Sequence, residues 1–366
     1  MKPHIVFTVI NDLHYDQRMQ RICTSLSNAG YRVTLVGRVI EKEKALPKRS
    51  YRQIRFKMTF NKGKLFYLTY NLRLLWHLLT NRYDIYGATD LDTLVPHFIA
   101  ATIKRKPFVY DAHEYFAQLP EIVNRPLVKW IWKAIERLVV PRTRYAYTIN
   151  QSYADLFQQQ YGTKFEIIQN AAVLREETLP VVNNHRKYIL YQGAVNVGRG
   201  VEEMIEAMQY IPDCELYICG KGDVYEDCVQ LVNQLGLNEK VRFMGFVQPD
   251  ELRQITLNAT IGFTFFTQQG ESYYYSLANR FFDYFHAGIP QLCVNFPEYK
   301  RINDEFEIVL LLDDLSPKTI ATAANKLLTE TALYQRLRQN CFAARKVINW
   351  QGEEKKLIAF YDKITV

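Results

Sequence analysis

Two periodicities of apolar residues alternate along this chain, and together they predict an α/β fold built on parallel strands. The apolar run at 4–10 predicts a strand, and the run at 31–37 predicts a second one after Gly30. Between them, apolar residues recur at the spacing of one helix face (Met19, Ile22, Cys23 and Leu26). This strand–helix–strand unit of roughly 30 residues is a βαβ motif, whose two strands are parallel.

The alternation continues through the first half of the chain. Leucines at helical spacing predict a long helix over 62–80 (Leu65, Leu68, Leu72, Leu75 and Leu79). Further predicted elements are a strand from Asp84, a loop at 89–92, a helix at 94–103, a strand at 107–110, a helix at 126–144 and short strands at 146–150 and 166–169. We therefore expect a first Rossmann-like domain over residues 1–182.

A polar linker at 183–187 precedes a second series of strands and helices, and predicts a second Rossmann-like domain over 183–350. Its strands are predicted at 188–193, 215–219, 241–247, 260–266 and 291–295. Two successive sheets of this kind leave a crevice between them. A final helix over 351–366 either packs back onto the first domain with Trp350 as an anchor, or leaves Trp350 in the core of the second.

Charge is distributed unevenly between the two halves. Residues 1–180 contain 27 Lys and Arg against 15 Asp and Glu, whereas the remaining residues contain 19 against 23. Much of the basic excess falls in the aromatic helices predicted at 62–80 and 126–144. Either these are ordinary domain helices with solvated cations, or one or both rest on an anionic membrane surface with their aromatic side chains inserted. The sequence contains no recognised nucleic-acid-binding module, so nucleic acid is not expected as a partner.

The sequence also bears on compartment and on cofactors. Six cysteines form no C-x-x-C pair, and several lie in apolar runs, which favours buried free thiols over disulfides or zinc ligands. The first apolar run is too short for a signal peptide, and no window reaches the ~18 consecutive apolar residues of a membrane span. We expect a cytoplasmic protein, peripheral on the inner face of the cell membrane if the basic helices bind there. The G-x-G-x-x-G fingerprint is missing from the first loop, which disfavours a Rossmann oxidoreductase.

Polar side chains follow the predicted strands of the first domain. Asn11 and Asp12 come after the first strand, Asp90 follows the strand from Asp84, and His113 follows the strand at 107–110. Ligands of doubly wound sheets bind outside the carboxyl ends of the strands, so these four residues are candidates for one wall of the crevice. A lone histidine is more often structural, but neighbouring carboxylates favour a charged or oriented imidazole at His113.

In the second half, two arginines stand where an anion would bind. Arg199 lies in a glycine-flanked loop before a helix, and Arg280 begins a helix on which Asp283 shares its face. A helix N-terminus with an arginine in its first turn is an anion site, and two arginines suit a diphosphate. The alternatives are a solvated cation at Arg199 and an ordinary helix cap with a surface ion pair at Arg280 and Asp283.

Motifs along nearly the whole chain resemble those of the retaining glycosyltransferases of family 4. They are NDLHYDQRMQRICTSLSNAGYRVTLVGR, TDLDTLVP, YDAHE, YQGAVNVGRG, GKGD, VRFMGFV, SLANRFFDYFHAGIP and INW, in the family's order. The resemblance implies the GT-B fold, in which two Rossmann-like doubly wound domains face each other across a cleft. It also implies a nucleoside-diphosphate sugar bound mainly by the C-terminal domain, an acceptor on the N-terminal one, and no obligatory metal ion or cofactor.

The resemblance further implies roles for single residues. His113 matches the family's active-site histidine, Arg199 matches a basic residue that contacts the diphosphate, and Asp283 matches the second glutamate of the E-x7-E motif, which holds the ribose. Positions implied to contact the donor also include Gly220, Gly222 and Val247 around the nucleobase, and the loop residues Tyr275, Ser276 and Asn279. Tyr275 and Ala194 depart from the family pattern, because the first glutamate and the first arginine of the glycine loop are expected there. Arg280 would supply the lost charge.

The expected activity is retaining transfer of a sugar from a nucleoside-diphosphate sugar to a hydroxyl of a saccharide or lipid-linked acceptor. Cell-surface polysaccharide or glycolipid assembly is the expected setting. Two alternatives stay open, namely a GT-B nucleotide-sugar epimerase and a non-catalytic nucleotide-sugar-binding protein in which Tyr275 marks an inactive site.

Overall fold

The computed structural model describes residues 2–14, 16–40, 45–176, 187–268 and 270–364. The chain divides into two compact units, Met1–Asn170 with Gly352–Val366, and Ala171–Gln351. The division at Asn170 comes earlier in the chain than the boundary predicted near residue 183, and most of the predicted linker lies outside the described residues. Ala171 already belongs to the second unit because its side chain is buried in that unit's core.

Strands and helices alternate through the first unit. The strands are β1 (His4–Thr8), β2 (Arg32–Arg38), β3 (Arg52–Phe56), β4 (Ile85–Thr89), β5 (Phe108–Ala112), β6 (Tyr145–Thr148) and β7 (Glu166–Ile167). The helices are α1 (Gln17–Asn28), α2 (Gly63–Thr80), α3 (Leu94–Lys104), α4 (Pro120–Val123), α5 (Pro126–Val139) and α6 (Gln151–Tyr161). Strand β3 was not predicted, because RQIRF contains only two apolar residues and lies at an edge of the sheet, where less side-chain burial is needed.

The first sheet positions the carboxyl ends of its central strands side by side. Its strands are parallel in the order β3-β2-β1-β4-β5-β6-β7. The order reverses between β1 and β4, and such a reversal opens a crevice at the carboxyl ends of the strands. The predicted face of α1 is confirmed, since its four apolar residues are fully buried.

Helix α2 forms where it was predicted, but a different face points inward. The buried face contains two aromatic residues and two leucines (Phe66, Tyr70, Leu74 and Leu78). Three leucines of the predicted stripe are more than half exposed instead (Leu65, Leu68 and Leu72). Aromatic rings bury more apolar area than leucine, and the Tyr70 hydroxyl finds a partner in the Val9 carbonyl at 2.6 Å, which favours this orientation.

The last helix, α15 (Trp350–Ile364), completes the core of the first unit. Leu357, Phe360 and Tyr361 are buried there. The ring of Phe360 lies 5.1 Å from that of Tyr147, and Tyr361 lies 5.9 Å from Phe7. The chain therefore returns to its first unit after finishing the second.

The second unit repeats the alternation. Its strands are β8 (Tyr188–Gln192), β9 (Glu215–Cys219), β10 (Val241–Gly245), β11 (Ile261–Thr264), β12 (Gln291–Val294) and β13 (Val309–Leu312). Its helices are α7 (Val201–Ala207), α8 (Tyr225–Gln234), α9 (Pro249–Asn258), α10 (Glu271–Tyr274), α11 (Asn279–His286), α12 (Pro297–Phe306), α13 (Pro317–Thr329) and α14 (Thr331–Val347). Trp350, at the start of α15, also lies in this unit, where its N–H donates to the carbonyl of Ala172.

The second sheet is covered on both faces. Its strands are parallel in the order β10-β9-β8-β11-β12-β13, with the reversal between β8 and β11. Alternate residues of β8 enter different apolar clusters: Ile189 and Tyr191 lie in one, Tyr188 and Leu190 in the other. Burial on both sides explains why this strand is a continuous apolar run.

Three features bear on the expectations about compartment and metal. All six cysteines lie in the described part of the chain and are buried and unpaired, as predicted. Over the described residues, no helix combines the length and the hydropathy needed to cross a membrane. The same part of the chain holds no group of three or more His, Cys, Asp or Glu side chains arranged for a metal ion.

Candidate sites at the carboxyl ends of the two sheets

The first candidate site forms where β4 and β5 end next to each other. Asp90 follows β4 and His113 follows β5, so the pairing of these strands brings the two residues together. Asp90 has a left-handed φ of 55°, and its N–H donates to the carbonyl of Asp111 at 2.8 Å. A non-glycine residue in this conformation is uncommon and is typical of functional loops.

Asp90 holds His113 through both of its carboxylate oxygens. The backbone N–H of His113 donates to one at 2.9 Å, and Nδ1 lies 2.6 Å from the other. The second ring nitrogen, Nε2, is buried and has no hydrogen-bond partner among the described residues. Burial lowers the pKa of His113, but the carboxylates of Asp90 and Asp111 outweigh burial, so that the net pKa is raised above its usual value.

A buried ion pair that was not predicted supports this site. Arg18 on α1 donates to Asp111 at 2.7 Å, and both side chains are buried. The other oxygen of Asp111 is 3.9 Å from Nε2 of His113, too far for a direct hydrogen bond. Arg18 could have been found from the sequence, because it shares the buried face of α1 with Ile22 and Leu26, where a charge requires a partner.

The other two residues predicted for this wall make contacts toward β2 and β3. The Asp12 carboxylate lies 2.6 Å from Nδ1 of His14, accepts from the N–H of Ile40 at 3.0 Å, and lies 3.6 Å from a guanidinium nitrogen of Arg55. Asn11 accepts the N–H of Arg38 on its carbonyl. The structure therefore brings Asp90 together with His113, and uses Asp12 to hold the segments after β1 and β2.

The second candidate site lies at the reversal point of the second sheet. Here β8 runs into Gln192 and Gly193, and β11 is followed by Phe265 and Phe266. The side chain of Arg280 comes from the first turn of α11, is almost fully buried, and donates to the carbonyl of Phe265 at 3.1 Å. A buried guanidinium at a topological switch point is placed where phosphate groups bind in doubly wound sheets.

Arg199 and Arg280 share one aromatic ring. Their guanidinium carbons lie 4.8 Å and 4.9 Å from the centroid of Phe266, and Arg199 also lies 4.7 Å from Tyr273. The Nε atom of each arginine is buried without a hydrogen-bond partner among the described residues. Cation–π stacking holds both groups in place, while neither Nε–H donor is used by a described residue.

Asp283 lies one turn into α11 and is held from β8. Its Oδ2 accepts from the side-chain Nε2 of Gln192 at 2.8 Å, and the side-chain Oε1 of Gln192 accepts from the Thr256 hydroxyl at 2.7 Å. Gln192 was not predicted as a site residue, although an amide ending an apolar strand is a polar group that needs a partner once it is buried. Asn279, the first residue of α11, is exposed.

The loop before α11 follows a short helix, α10, which spans Glu271–Tyr274. Ser276 ends this turn, with its N–H and its hydroxyl both donating to the carbonyl of Tyr273. Tyr275 is half-buried and packs edge-on against Tyr274 at 4.8 Å. Tyr275 therefore brings an aromatic ring and a phenol to the position where the resemblance calls for a carboxylate.

The glycines predicted around the nucleobase bring two loops into backbone contact. A Cβ on Gly220 would lie 1.7 Å from the carbonyl oxygen of Gly193, and one on Gly222 would lie 2.3 Å from that of Val195. Only glycine allows the loop after β9 to pack this closely on the loop after β8. Val247, the third residue of this group, packs against the apolar cluster that contains Leu190 and Tyr284.

Two family models match successive parts of the chain. The Glycosyltransferase Family 4 model matches residues 17–175, and the model described as Glycosyl transferases group 1 matches residues 176–343. An uncharacterized glycosyltransferase of Methanocaldococcus jannaschii is 35% identical over 83 residues, which is 22% of this chain and 21% of that protein.

Solved structures show the same fold over the full length. Sucrose-phosphate synthase from Thermosynechococcus elongatus superposes with a TM-score of 0.82 at 13% identity, covering 100% of this chain and 99% of that one. Anabaena HepE in complex with UDP-glucose gives 0.77 at 15% identity, covering 99% and 100%. WaaG, a glycosyltransferase involved in lipopolysaccharide biosynthesis, gives 0.75 at 16% identity, covering 99% of each chain.

Proposed function

Because this chain belongs to the group 1 glycosyltransferases and has their GT-B fold, we propose that it transfers a sugar from a nucleoside-diphosphate sugar to an acceptor hydroxyl with retention of configuration. The observation that carries the proposal is the pair of guanidinium groups stacked on Phe266. Arg280 is buried and Arg199 is half-buried, and two cations with unused N–H donors have little structural reason to stand together unless an anion joins them.

The second unit binds the donor in this proposal. Arg199 and Arg280 take the diphosphate, and the first turn of α11 adds backbone N–H groups and the positive end of its dipole. Asp283 accepts hydrogen bonds from the ribose hydroxyls, in a position fixed by Gln192. The loop that contains Gly220 and Gly222 packs closely on the loop after β8, and the nucleobase binds against this pair of loops.

The reaction separates the sugar from the diphosphate. The bond between the anomeric carbon and the diphosphate oxygen breaks, and an oxocarbenium-like sugar forms as charge builds on the leaving group. Arg199 and Arg280 stabilise that charge, which is the role preorganised cations have in low-dielectric sites. The acceptor oxygen bonds to the anomeric carbon on the face that the diphosphate leaves, and its proton passes to the departing phosphate oxygen. No metal ion or other cofactor is required, since the two guanidinium groups neutralise the diphosphate.

His113 contributes a contact to a sugar hydroxyl through Nε2. With Nδ1–H donating to Asp90, neutral His113 offers Nε2 as an acceptor, and charged His113 offers it as a donor. Tyr275 takes the place of a carboxylate near the donor sugar, and its phenol provides one donor and one acceptor there.

The donor is a UDP-sugar or a related nucleotide sugar, and the acceptor is a saccharide or a lipid-linked saccharide. The UDP-glucose bound by HepE supports the first choice, and the part that WaaG has in lipopolysaccharide biosynthesis supports the second. We place the activity in the cytoplasm, in the assembly of cell-surface polysaccharide or glycolipid.

A screen of nucleotide sugars by thermal shift identifies the donor, because a ligand that binds only the folded state raises the melting temperature. Transfer to a lipid-linked acceptor is then followed by NMR of the anomeric proton, and retention is the expected outcome. Inversion at the anomeric carbon would contradict the proposed mechanism.

Incubation of the donor without acceptor separates the rival functions. A transferase leaves the donor intact apart from slow hydrolysis, whereas a nucleotide-sugar epimerase converts it into a second nucleotide sugar. Tight donor binding in calorimetry without transfer to any acceptor would favour a non-catalytic binding protein.

A further inference from the structure

Helix α5 is amphipathic, but its apolar side faces solvent. Large apolar residues recur on the outer face at helical spacing and are exposed (Leu127, Trp130, Ile131 and Leu138). Only Glu136 and Val139 of this helix are buried. This is the reverse of the usual arrangement for a surface helix, in which the apolar face packs on the core.

The inward side of α5 carries polar groups beside Val139 and the half-buried Trp132, and these polar groups are paired. Lys133 donates to the hydroxyl of Tyr115 at 2.9 Å and pairs with Glu136 at 3.2 Å. Glu136 also accepts from the hydroxyl of Tyr161 at 2.7 Å, and Lys129 donates to Gln118 at 3.1 Å. Rotating the apolar side inward would break these bonds and leave a buried charge unpaired, so the network fixes the outward direction of the apolar side.

Helix α2 shows a second apolar stripe at its surface. Four large residues at helical spacing are more than half exposed (Leu65, Leu68, Leu72 and Trp76). The two helices belong to the same unit and touch through an edge contact of Tyr67 with Trp132, whose rings are 5.8 Å apart. We call these eight exposed residues of α2 and α5 the apolar face. Exposed apolar patches of this kind mark interaction sites.

The charges beside the apolar face are cationic. Helix α2 contains Lys64 and Arg73 and no acidic residue, and the single acidic residue of α5 is the buried Glu136. Exposed cations stand at the outer side and the ends of the two helices (Lys62, Lys64, Arg73, Arg82, Arg125, Arg137, Arg142 and Arg144). Two copies of such a surface would repel each other, which argues against self-association through it.

We propose that the apolar face docks the protein onto an anionic lipid surface, with its leucine, isoleucine and tryptophan side chains in the acyl–headgroup boundary and the surrounding arginines and lysines on the lipid phosphates. Tryptophan beside cations is the composition of interfacial helices, and each cation near an anionic leaflet adds to the affinity. The proposal goes beyond glycosyl transfer, because docking needs no catalysis.

Flotation of the full chain with vesicles of phosphatidylcholine and phosphatidylglycerol tests the proposal. The chain should float at low salt, and float less as salt is raised or phosphatidylglycerol is omitted. Replacing Leu72 and Ile131 together by Gln should weaken binding by about tenfold or more, because two apolar side chains lose their burial. Replacing Lys64 and Arg137 together by Gln should weaken it by a similar factor at low salt, at about fivefold for each cation.

A matched control is available in the other unit. Val347 on α14 is 64% exposed, so Val347→Gln alters an equally accessible apolar residue outside the unit that carries the apolar face. This variant should float like the unaltered chain. All of these positions are exposed, and an unchanged melting temperature shows that each variant is folded.

Quenching by lipids brominated on the acyl chain provides a second readout. Trp76 and Trp130 are 71% and 65% exposed on the apolar face, Trp132 is half-buried against Tyr67 and Phe116, and Trp350 is buried in the other unit. Vesicles of brominated lipid should quench the fluorescence of the unaltered chain, and quench a Trp76→Phe, Trp130→Phe variant far less while it still floats. Failure to float at low salt, or unchanged binding of both double Gln variants, would overturn the proposal. The proposal would also be overturned if the chain formed a dimer without vesicles and the double change of Leu72→Gln with Ile131→Gln dissociated that dimer.

Discussion

The Asp90 carboxylate accepts two hydrogen bonds from His113, one from the backbone N–H at 2.9 Å and one from Nδ1–H at 2.6 Å. The first bond fixes the turn after β5, and the second fixes the tautomer and orientation of the ring. Nε2 of His113 is thereby held in one orientation, and no described residue forms a hydrogen bond with it.

Replacing Asp90 by Asn should lower turnover by about tenfold to a hundredfold, because a charge-assisted bond that orients the imidazole is lost. Asp84 provides a matched control, because its carboxylate also accepts a backbone N–H, that of His4 at 3.0 Å. Asp84 precedes β4, whereas Asp90 follows that strand. Steady-state kinetics should show Asp84→Asn near the unaltered rate. Equal rates for both variants would remove Asp90 from any positioning role.

The pH dependence of stability should report the same pair. Burial lowers the pKa of His113 and Asp90 raises it, with a net pKa above 6.5, so the native state binds this proton more tightly than the unfolded chain. The resulting stabilisation is fully present below pH 6.5 and is lost as the pH rises through the raised value.

In Asp90→Asn, burial and the charge of Arg18 remain and outweigh the smaller raising effect of Asp111, so the pKa of His113 should fall below 6.5. The loss in unfolding free energy relative to the unaltered chain should then be larger below pH 6.5 than above neutrality. NMR titration of His113 and urea unfolding at several pH values measure both effects. A His113 pKa that is the same in the two proteins would contradict this account.

Replacing Arg199 or Arg280 by Ala should lower kcat/KM by about a hundredfold to a thousandfold, because each removes one cation from the developing charge on the diphosphate. Lysine at either position should restore only part of the rate, since it cannot bind a phosphate bidentately. Arg242→Ala is the control, because Arg242 forms a surface pair with Glu215 at 3.1 Å in the same unit. The Arg280 side chain is buried, so circular dichroism should first show that Arg280→Ala is folded.

Gly222→Ala should abolish nucleotide binding, because its Cβ would meet the Val195 carbonyl and push the loop after β9 away from the loop after β8. Gly236→Ala is the comparison: its φ of 68° costs about 1 kcal/mol, but nothing lies within 4 Å of the added atom. Calorimetry with UDP should therefore separate the two variants, while thermal melts show some loss in both. Normal UDP affinity in Gly222→Ala would show that the contact between the loops is dispensable.

Tyr361→Ala should destabilise the first unit by about 3–5 kcal/mol, the cost of removing a fully buried aromatic side chain. Lys363→Ala, two residues on, breaks only an exposed pair with Glu166 and should cost about 1 kcal/mol or less. Chemical unfolding, monitored by hydrogen exchange of β1 and β6, tells whether the loss is in the first unit. Equal stabilities for the two variants would mean that α15 is not part of that core.

Local patterns were sufficient for the parts of the fold that depend on burial alone. The β1–α1–β2 unit was predictable because the four apolar residues of α1 share one face. The buried face of α2 was not predictable, because two faces of that helix are apolar. Aromatic side chains packing against the sheet decide which of the two faces is buried.

The sites divide in the same way. Asp90 and His113 were predicted to lie together because adjacent parallel strands end at the same edge of the sheet. Arg18 and Gln192 were missed because their partners, Asp111 and Asp283, are 93 and 91 residues away in the chain. Long-range polar pairs of this kind leave no periodic signal, although a charge on a buried helix face indicates that one exists.

The return of α15 to the first unit has a consequence for biosynthesis. Because Tyr361 fills space beside Phe7 and Tyr147, residues 1–170 lack part of their own core when they leave the ribosome. The unit made first can reach its final packing only after nearly the whole polypeptide has emerged, so the unit made second is free to fold ahead of it. Any proteolytic cut or premature stop between the two would leave the amino-terminal portion with an open apolar surface.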